Sequence, residues 1–589
     1  MLFQKPINIR TYTVLSLGLL SWIYVFTKAL NTPFTVDEAS TYLDFVLFNT
    51  FLPGLSKWEA NNHLINSLLT ILSSAAFGDR PFALRLPNVL SFGLLIYQVM
   101  IFAKKRLHYT SSAVAISLLL FYSTLVLDFF SLCRGYGISL AFLMWFINEF
   151  LATLEKEKPS YFKVVLSGLL MAGANLNLIP LFIGALILSV AFQARSGKWS
   201  PIPTVLWGVS AIPFVIYGFL LKQKGLLYYG TDKFIDFTLG HTTALYVGSH
   251  ALYWYFLPIL ISIIIFYLSD KTVRFSLNKS SAMFLLFLLA FLAPIAQHIL
   301  LGSPLPQDRT YMHVLMLSAL VFVYYADRKS RIIAQLAMAY SLIIIAGFFS
   351  SFKIDRSLVW PKDIIPKGVI VELKRFTDEN DKSPIVVSDY RNPSVWEYLN
   401  SINQSAYTYF RLGNEESSLV SSADYLMLSE DSELNFNPTD FDTIVAEARS
   451  DYALLRNKVK RSAEVDTVYE IYQDGRSSDP FFKLFQGDFN ADSSVIRAVD
   501  IETQMRLPNV GGDFQLVISQ ESEGENRRDV INLYRYYTSE QISGSKPFRI
   551  RIPINTKVNN NVSIYYWNVH QLSVHLEKSI VKVETSPIR

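Results

Sequence analysis

The sequence predicts a polytopic α-helical membrane protein of about eleven transmembrane helices, followed by a C-terminal extracytoplasmic α/β plus β-sandwich region. Three observations carry this reading. Of 589 residues, 51% are hydrophobic and only 17% charged, against about 25% charged in a typical soluble domain. Mean hydropathy is positive, +0.28, although residues 352–589 read as ordinary soluble sequence. The apolar excess therefore lies in residues 1–351, where uncharged runs long enough to cross a bilayer recur. This excludes a soluble enzyme, a disordered chain and a disulfide scaffold. The net charge, 53 − 49 = +4, is too small and too dispersed for a nucleic-acid partner. The single cysteine, Cys133, excludes an internal disulfide and a cysteine-based metal cluster.

A hydrocarbon core about 30 Å thick takes about 20 helical residues to cross. Spans are predicted near 11–30, 87–103, 111–128, 136–153, 203–221, 250–268, 281–301, 311–326 and 332–351. Residues 164–194 carry no charge and fit one overlong helix or two short ones. Lys156, Lys158 and Lys163 precede this stretch, and Arg195 and Lys198 follow it. Basic residues collect on the cytoplasmic side, so the chain goes out and back, turning near Asn175, Asn177 and Pro180. That brings the expected total to eleven spans. Lys5, Arg10, Lys104, Lys105, Arg106, Lys271, Arg274, Lys279, Arg328, Lys329 and Arg331 fit the same orientation. The N-terminus is expected in the cytoplasm and residues 352–589 outside it, in the periplasm if the membrane is a bacterial inner membrane. The first span is longer than a signal-peptide core and no small-residue cleavage site follows it, so it reads as an anchor.

Polar residues then gather in three outer loops. The longest, 31–86, holds Thr35-Val36-Asp37-Glu38-Ala39-Ser40 and later Glu59-Ala60-Asn61-Asn62-His63. The loop after the third span holds Asp128 and Cys133-Arg134-Gly135-Tyr136, and the loop after the ninth holds Gln307-Asp308-Arg309-Thr310-Tyr311. Charge at a membrane boundary is costly unless it is paired or lines a wet cavity, which marks such groups as functional candidates. Each also has a plain structural explanation. Asp37 and Glu38 could cap the helix that follows. Arg134 and Arg309 could snorkel into headgroups. His63 could be an ordinary loop residue, and Asp128 could cap its helix or pair with Arg134. Together, an acidic pair, a histidine with asparagines and two arginines on one membrane face suit a site for an anionic lipid phosphate and a sugar hydroxyl. Arginine forks match phosphate oxygens, and a carboxylate beside a hydroxyl can act as general base.

The Asp37-Glu38 pair, the Asn61-Asn62-His63 block, Arg85-Leu86-Pro87 and Arg134-Gly135-Tyr136 resemble glycosyltransferase superfamily C, integral membrane enzymes that use polyprenyl-phosphate sugars. The similar branch includes the protein O-mannosyltransferases and the lipid A aminoarabinose transferase. The resemblance covers roughly residues 10–350 and is densest over 30–140. It implies that Asp37 is the catalytic acidic residue, with Glu38 supporting it, and that Arg309 contacts phosphate. Asp37 would take the acceptor's proton as the hydroxyl attacks the anomeric carbon, with inversion, while Arg134 and Arg309 hold the departing phosphate. Asn62, His63, Asp128 and Tyr136 are the expected substrate-binding residues. Expected partners are a polyprenyl-phosphate sugar donor, a lipid, glycan or protein acceptor, and membrane lipids. No Gly-rich phosphate loop, His-x-x-x-His pair or compact acidic triad is present. No cofactor or metal is therefore expected to be obligatory, and a single-carboxylate contact to a divalent cation stays open. Competing readings are a lipid-linked glycan transporter or flippase, an O-antigen ligase or polymerase, and a non-enzymatic sensor or scaffold. The absence of an internal repeat and the position of the acids at span ends weigh against transport.

In the C-terminal region, residues 352–480 predict an α/β domain. Strands are expected at Pro384–Ser388 and Tyr425–Leu428, and helices around Lys367–Thr377 and Phe441–Arg456. Residues 481–589 predict a β-sandwich with strands at Phe514–Ser519, Val530–Tyr537, Phe548–Ile552 and Val562–Trp567. Tyr565, Tyr566 and Trp567 could stack on sugar rings, although alternate ones are expected in the core.

Overall fold

The computed structural model describes residues 9–587 apart from 155–160, 197–200, 270–277, 404–408, 412–418, 435, 448–449, 460–463, 473–475, 509–513, 523–524, 534–543, 545–546 and 570. Lys5, Lys156, Lys158, Lys198, Lys271, Arg274 and Tyr537, used above, lie outside the described residues. The chain divides into two compact units, Met1–Thr32 with Asn49–Val359 and Pro33–Phe48 with Trp360–Arg589. The segment that carries Asp37 and Glu38 thus belongs with the C-terminal part of the chain.

The first unit is helical. Its principal helices are, with one short helix of the second unit (α2) included to keep chain order, α1 (Ile9–Asn31), α2 (Val36–Thr41), α3 (Leu64–Phe77), α4 (Pro81–Arg106), α5 (Thr110–Phe121), α6 (Thr124–Phe130), α7 (Gly135–Thr153), α8 (Tyr161–Ala174), α9 (Ile179–Ser196), α10 (Pro201–Gln223), α11 (Thr242–Val247), α12 (Phe256–Ser269), α13 (Lys279–Leu301), α14 (Met312–Lys329), α15 (Arg331–Ser341) and α16 (Ile343–Ser350). Among the described residues, eight helical stretches are long and apolar enough to cross a membrane, or nine if the pair α5–α6, bent by 61°, is one span. The chain is an integral membrane protein. The break between α8 and α9 falls at Asn175, whose side chain accepts from Asn177 N at 3.1 Å and opens a 3-10 turn. Two of the eleven expected spans fall outside this set of described helices. Tyr161–Ala174 is a shorter apolar helix, and α14 is buried from Met312 through Asp327. A helix enclosed on all sides is held by its neighbours and needs no lipid-facing apolar surface.

The second span starts earlier than the sequence suggested. Proline at the first helical position is favourable because its missing N–H has no intrahelical partner, and α4 starts at Pro81. Arg85 therefore sits inside the helix, fully buried, and its guanidinium donates to Ala29 O at 2.9 Å and Thr32 O at 2.7 Å. It satisfies carbonyls at the end of α1 that have no intrahelical donor.

Among the described residues, the second unit holds three sheets. The first, ordered β2 (Tyr409–Arg411), β1 (Val386–Ser388), β3 (Tyr425–Ser429), β5 (Tyr452–Asn457), β4 (Phe441–Ala446), is parallel across β2–β1–β3 and antiparallel beyond. Helices α17 (Gly368–Asn380) and α18 (Pro393–Asn403) accompany it. The helix expected at Phe441–Arg456 is instead the β4–β5 pair. Thr443, Ile444 and Val445 are β-branched and favour a pleated surface. The other two sheets are antiparallel. One is ordered β11 (Glu525–Asn532), β10 (Phe514–Ser522), β13 (Asn560–Asn568), β8 (Phe481–Phe489), and the other β12 (Phe548–Ile554), β9 (Val495–Arg506), β14 (Val574–Pro587), β6 (Glu464–Tyr472), with the short β7 (Arg476–Ser477) also pairing β14. Because β6 pairs with β14, this part starts before residue 481, ahead of the expected boundary. Burial alternates along β13, so Tyr566 is core, its hydroxyl donating to Thr503 Oγ1 at 2.7 Å, while Tyr565 and Trp567 face the other way.

Candidate functional site

In the helical unit, α7 begins at Gly135, directly after Arg134. A methyl group on Gly135 would lie 2.6 Å from His63 Cγ and would also overlap Ala174 O. Glycine therefore lets the start of α7 approach the loop that precedes α3. His63 Nδ1 is 2.8 Å from the Ala174 carbonyl and its Nε2 is 3.2 Å from a terminal nitrogen of Arg134. A carbonyl can only accept and a guanidinium can only donate. His63 is therefore neutral, with its proton on Nδ1 and the Nε2 lone pair facing Arg134. Burial, then the Arg134 charge, hold its pKa well below the ordinary value, and Arg309 adds to the effect. Arg134 is fully buried and also donates to Asn61 Oδ1. Tyr136 packs its ring edge-to-face with His63 at 4.6 Å, and the Arg134 guanidinium lies 5.8 Å from the Tyr136 centroid.

Arg309 is 8% exposed. Its guanidinium stacks over Tyr229 with Cζ 4.0 Å from the ring centroid, and donates to the Tyr229 hydroxyl at 2.8 Å. Burial pushes the Tyr229 pKa up, so the hydroxyl keeps its proton and donates to Asp308 Oδ2 at 2.9 Å. Asp308 Oδ1 is 3.3 Å from His241 Nε2. Asp308 adopts a left-handed φ of 50°, which aspartate tolerates better than most residues. Thr242 Oγ1 accepts its backbone N–H at 2.8 Å.

Two expected substrate-binding residues have other partners. Asn62 donates to Phe51 O at 2.8 Å and accepts from Ser67 Oγ at 3.0 Å, which ties the loop to the start of α3. Asp128 does not take the Arg134 pairing that the sequence left open. Its Oδ1 is 3.0 Å from Lys28 Nζ, and its Oδ2 accepts from Ser357 Oγ at 2.9 Å and Leu358 N at 3.1 Å.

In the second unit, Glu38 is fully buried and its Oε2 accepts from Thr35 N at 3.0 Å and Thr35 Oγ1 at 3.1 Å. This is the carboxylate of a capping box, the structural explanation weighed above. Half-buried Asp37 is the second residue of the same helix, α2. The preceding residue, Val36, donates its N–H to Asp363 Oδ2 at 2.7 Å. Phe34 stacks on Tyr398 of α18 at 4.1 Å.

Asn61, Tyr229, Asp308, His241 and Asp363 were missed as site residues. Asn61 and Asp308 adjoin residues that were chosen. Tyr229 and His241 carry no local signal, because only the fold brings them to Asp308 and Arg309. Among the described residues, no group of three or more His, Cys, Asp or Glu is placed to hold a metal ion.

Helices long and apolar enough to span a membrane define the class as an integral membrane protein. Neither a family model nor a curated protein matches the chain. Among solved structures, ArnT from Cupriavidus metallidurans overlaps in the apo state with a TM-score of 0.41 and 12% identity, over 75% of this chain and 96% of that one. The same protein bound to undecaprenyl phosphate gives 0.42 and 12%, over 75% and 97%. The arabinofuranosyltransferase AftD from Mycobacteria gives 0.41 and 9%, over 98% of this chain and 61% of that one.

Proposed function

We propose that this chain is an integral membrane glycosyltransferase that moves a sugar from a polyprenyl-phosphate donor to an acceptor hydroxyl on the extracytoplasmic side. One observation carries the reading. Two buried guanidinium groups, Arg134 and Arg309, both act on His63, which stays neutral. Arginine forks match the oxygens of a phosphate, so two buried guanidinium groups that act on one neutral imidazole favour an anionic ligand. A chain embedded in the bilayer meets phosphate most readily on a lipid. In this reading Arg134 and Arg309 stabilise the charge growing on the departing phosphate. Asp37 accepts the acceptor's proton while the new glycosidic bond forms and the anomeric carbon–phosphate bond breaks, with inversion. His63 orients Arg134 through its Nε2 lone pair, and Glu38 shapes the helical turn that holds Asp37.

The test uses the purified full chain in nanodiscs with a panel of synthetic polyprenyl-phosphate sugars and membrane lipid extract as acceptor. Release of polyprenyl phosphate coupled to a new glycoside supports the reading. Movement of intact lipid-linked glycan across a vesicle bilayer without cleavage would replace it with a transporter, and transfer only from pyrophosphate-linked donors with a ligase.

A further inference from the structure

We propose that Asp363 is a positioning residue for Asp37, a buried carboxylate that anchors the backbone amide immediately before it and so places the base from the C-terminal part of the chain. This rests on the reading of Asp37 as general base. Asp363 is 4% exposed, and its Oδ2 accepts the Val36 N–H at 2.7 Å across 327 positions of sequence. Val36 is the first residue of α2, so its N–H has no acceptor within the helix. The neighbouring Thr35 N–H is already taken by Glu38. Asp363 is itself held on two sides, since its Oδ1 accepts from Asn392 Nδ2 and its carbonyl accepts from the Tyr390 hydroxyl at 3.2 Å. The segment is clamped along its length, by Phe34 on Tyr398, by Tyr42 edge-on to Tyr398 at 5.2 Å, and by Ser40 Oγ 3.4 Å from Ser394 Oγ.

A neutral acceptor would satisfy the Val36 amide without the cost of burying a charge beside other acids. The carboxylate makes the anchor sensitive to pH. Asp37 and Glu38 of α2 and Asn392 before α18 act on Asp363, which in turn acts on Tyr452 of β5. Burial first, then Asp37 and Glu38, raise its pKa to about 6, against the Val36 and Asn392 hydrogen bonds. Above that pH the ionised form accepts the Val36 N–H strongly. Below it the proton weakens the acceptor and loosens the turn under Asp37.

The experiment compares the full chain in nanodiscs with Asp363→Ala and Asp363→Asn by two readouts. The first is hydrogen exchange at the amides of residues 34–38 from pH 5 to 8, each variant against wild type at the same pH. The second is the pH profile of kcat for release of polyprenyl phosphate from the best donor of the panel. Asp363→Ala is expected to speed exchange at Val36 by about tenfold or more and to lower kcat with little change in donor KM. Asp363→Asn keeps an acceptor oxygen, so it is expected to restore protection and to remove the acid-side inflection near pH 6. If Asp363→Ala leaves exchange and kcat unchanged, or if the inflection survives in Asp363→Asn, the proposal is wrong. Should the alanine variant not fold, the asparagine profile decides. If wild type transfers no sugar from any donor, the glycosyltransferase reading fails, and the exchange arm alone still decides whether Asp363 anchors the segment.

Discussion

Lys28 Nζ lies 3.0 Å from Asp128 Oδ1, with the two side chains 5% and 0% exposed. Lys28 sits in the last turn of α1 and also donates to the Lys353 and Arg356 carbonyls, each at 3.0 Å. The pair thus joins the end of α1, the end of α6 and residues 353–358. Removing one partner of a buried pair leaves an uncompensated charge and typically costs about 3–5 kcal/mol. Lys28→Met is expected to lower the Tm of the purified protein sharply, and Lys28→Met with Asp128→Leu to recover much of the loss. Donor KM should be unchanged in folded Asp128→Asn. A raised KM without a change in Tm would return Asp128 to the substrate.

Arg134→Ala and Arg309→Ala should each weaken binding of the proposed polyprenyl-phosphate donor or slow turnover, since hydrogen bonds to charged groups are worth roughly 1.5–3 kcal/mol. Lysine at either position should rescue only in part because it lacks the planar fork. Tyr229→Phe should imitate a mild Arg309 defect, because the hydroxyl that receives Arg309 and donates to Asp308 is lost. Undiminished donor turnover by the double alanine variant, at normal expression, excludes the phosphate role.

Asp37→Asn and Glu38→Gln separate base from cap. Glutamine can replace glutamate in a capping box, so Glu38→Gln should stay close to wild type in both Tm and rate. Asp37→Asn removes the proton acceptor, and general-base catalysis is worth about 10²–10⁴-fold. Retention of more than about a tenth of wild-type turnover by Asp37→Asn would remove it from the role of base.

His63 predicts how stability depends on pH. In the unfolded chain it binds a proton near pH 6.5, whereas burial and the two arginines keep it neutral when folded. Below pH 6.5 the unfolded state therefore holds more protons, and stability falls as pH is lowered. His63→Asn should flatten this acid-side loss in thermal melts from pH 7 to pH 5. An unchanged slope would mean that His63 is protonated in the folded state.

Topology is tested by reporter fusions. A C-terminal alkaline phosphatase is expected to be active and a cytoplasm-specific reporter inactive, from the basic residues beside the spans. The reverse pattern would overturn the orientation and with it the extracytoplasmic placement of Asp37.

The sequence alone determined that the chain crosses a membrane, because long uncharged runs have few other stable uses. It also located the helix break near Asn175, because positive charge at both ends of an apolar stretch demands a return. Short-range chemistry was legible as well, such as the capping of the helix after Thr35 by Glu38 and the alternation of core and outward residues over 565–567. Other features depended on distant contacts. Whether Arg134 meets Asp128 or His63 depends on Gly135 letting α7 approach residue 63, and on Lys28 claiming Asp128 first. That β6 belongs with β14, and that residues 33–48 belong with residues 360–589, follow from pairings made over a hundred residues or more. Periodicity reports which face of an element is apolar. Which partner covers that face, and which buried charge is neutralised by which neighbour, is decided only when the folded chain must satisfy every polar group at once.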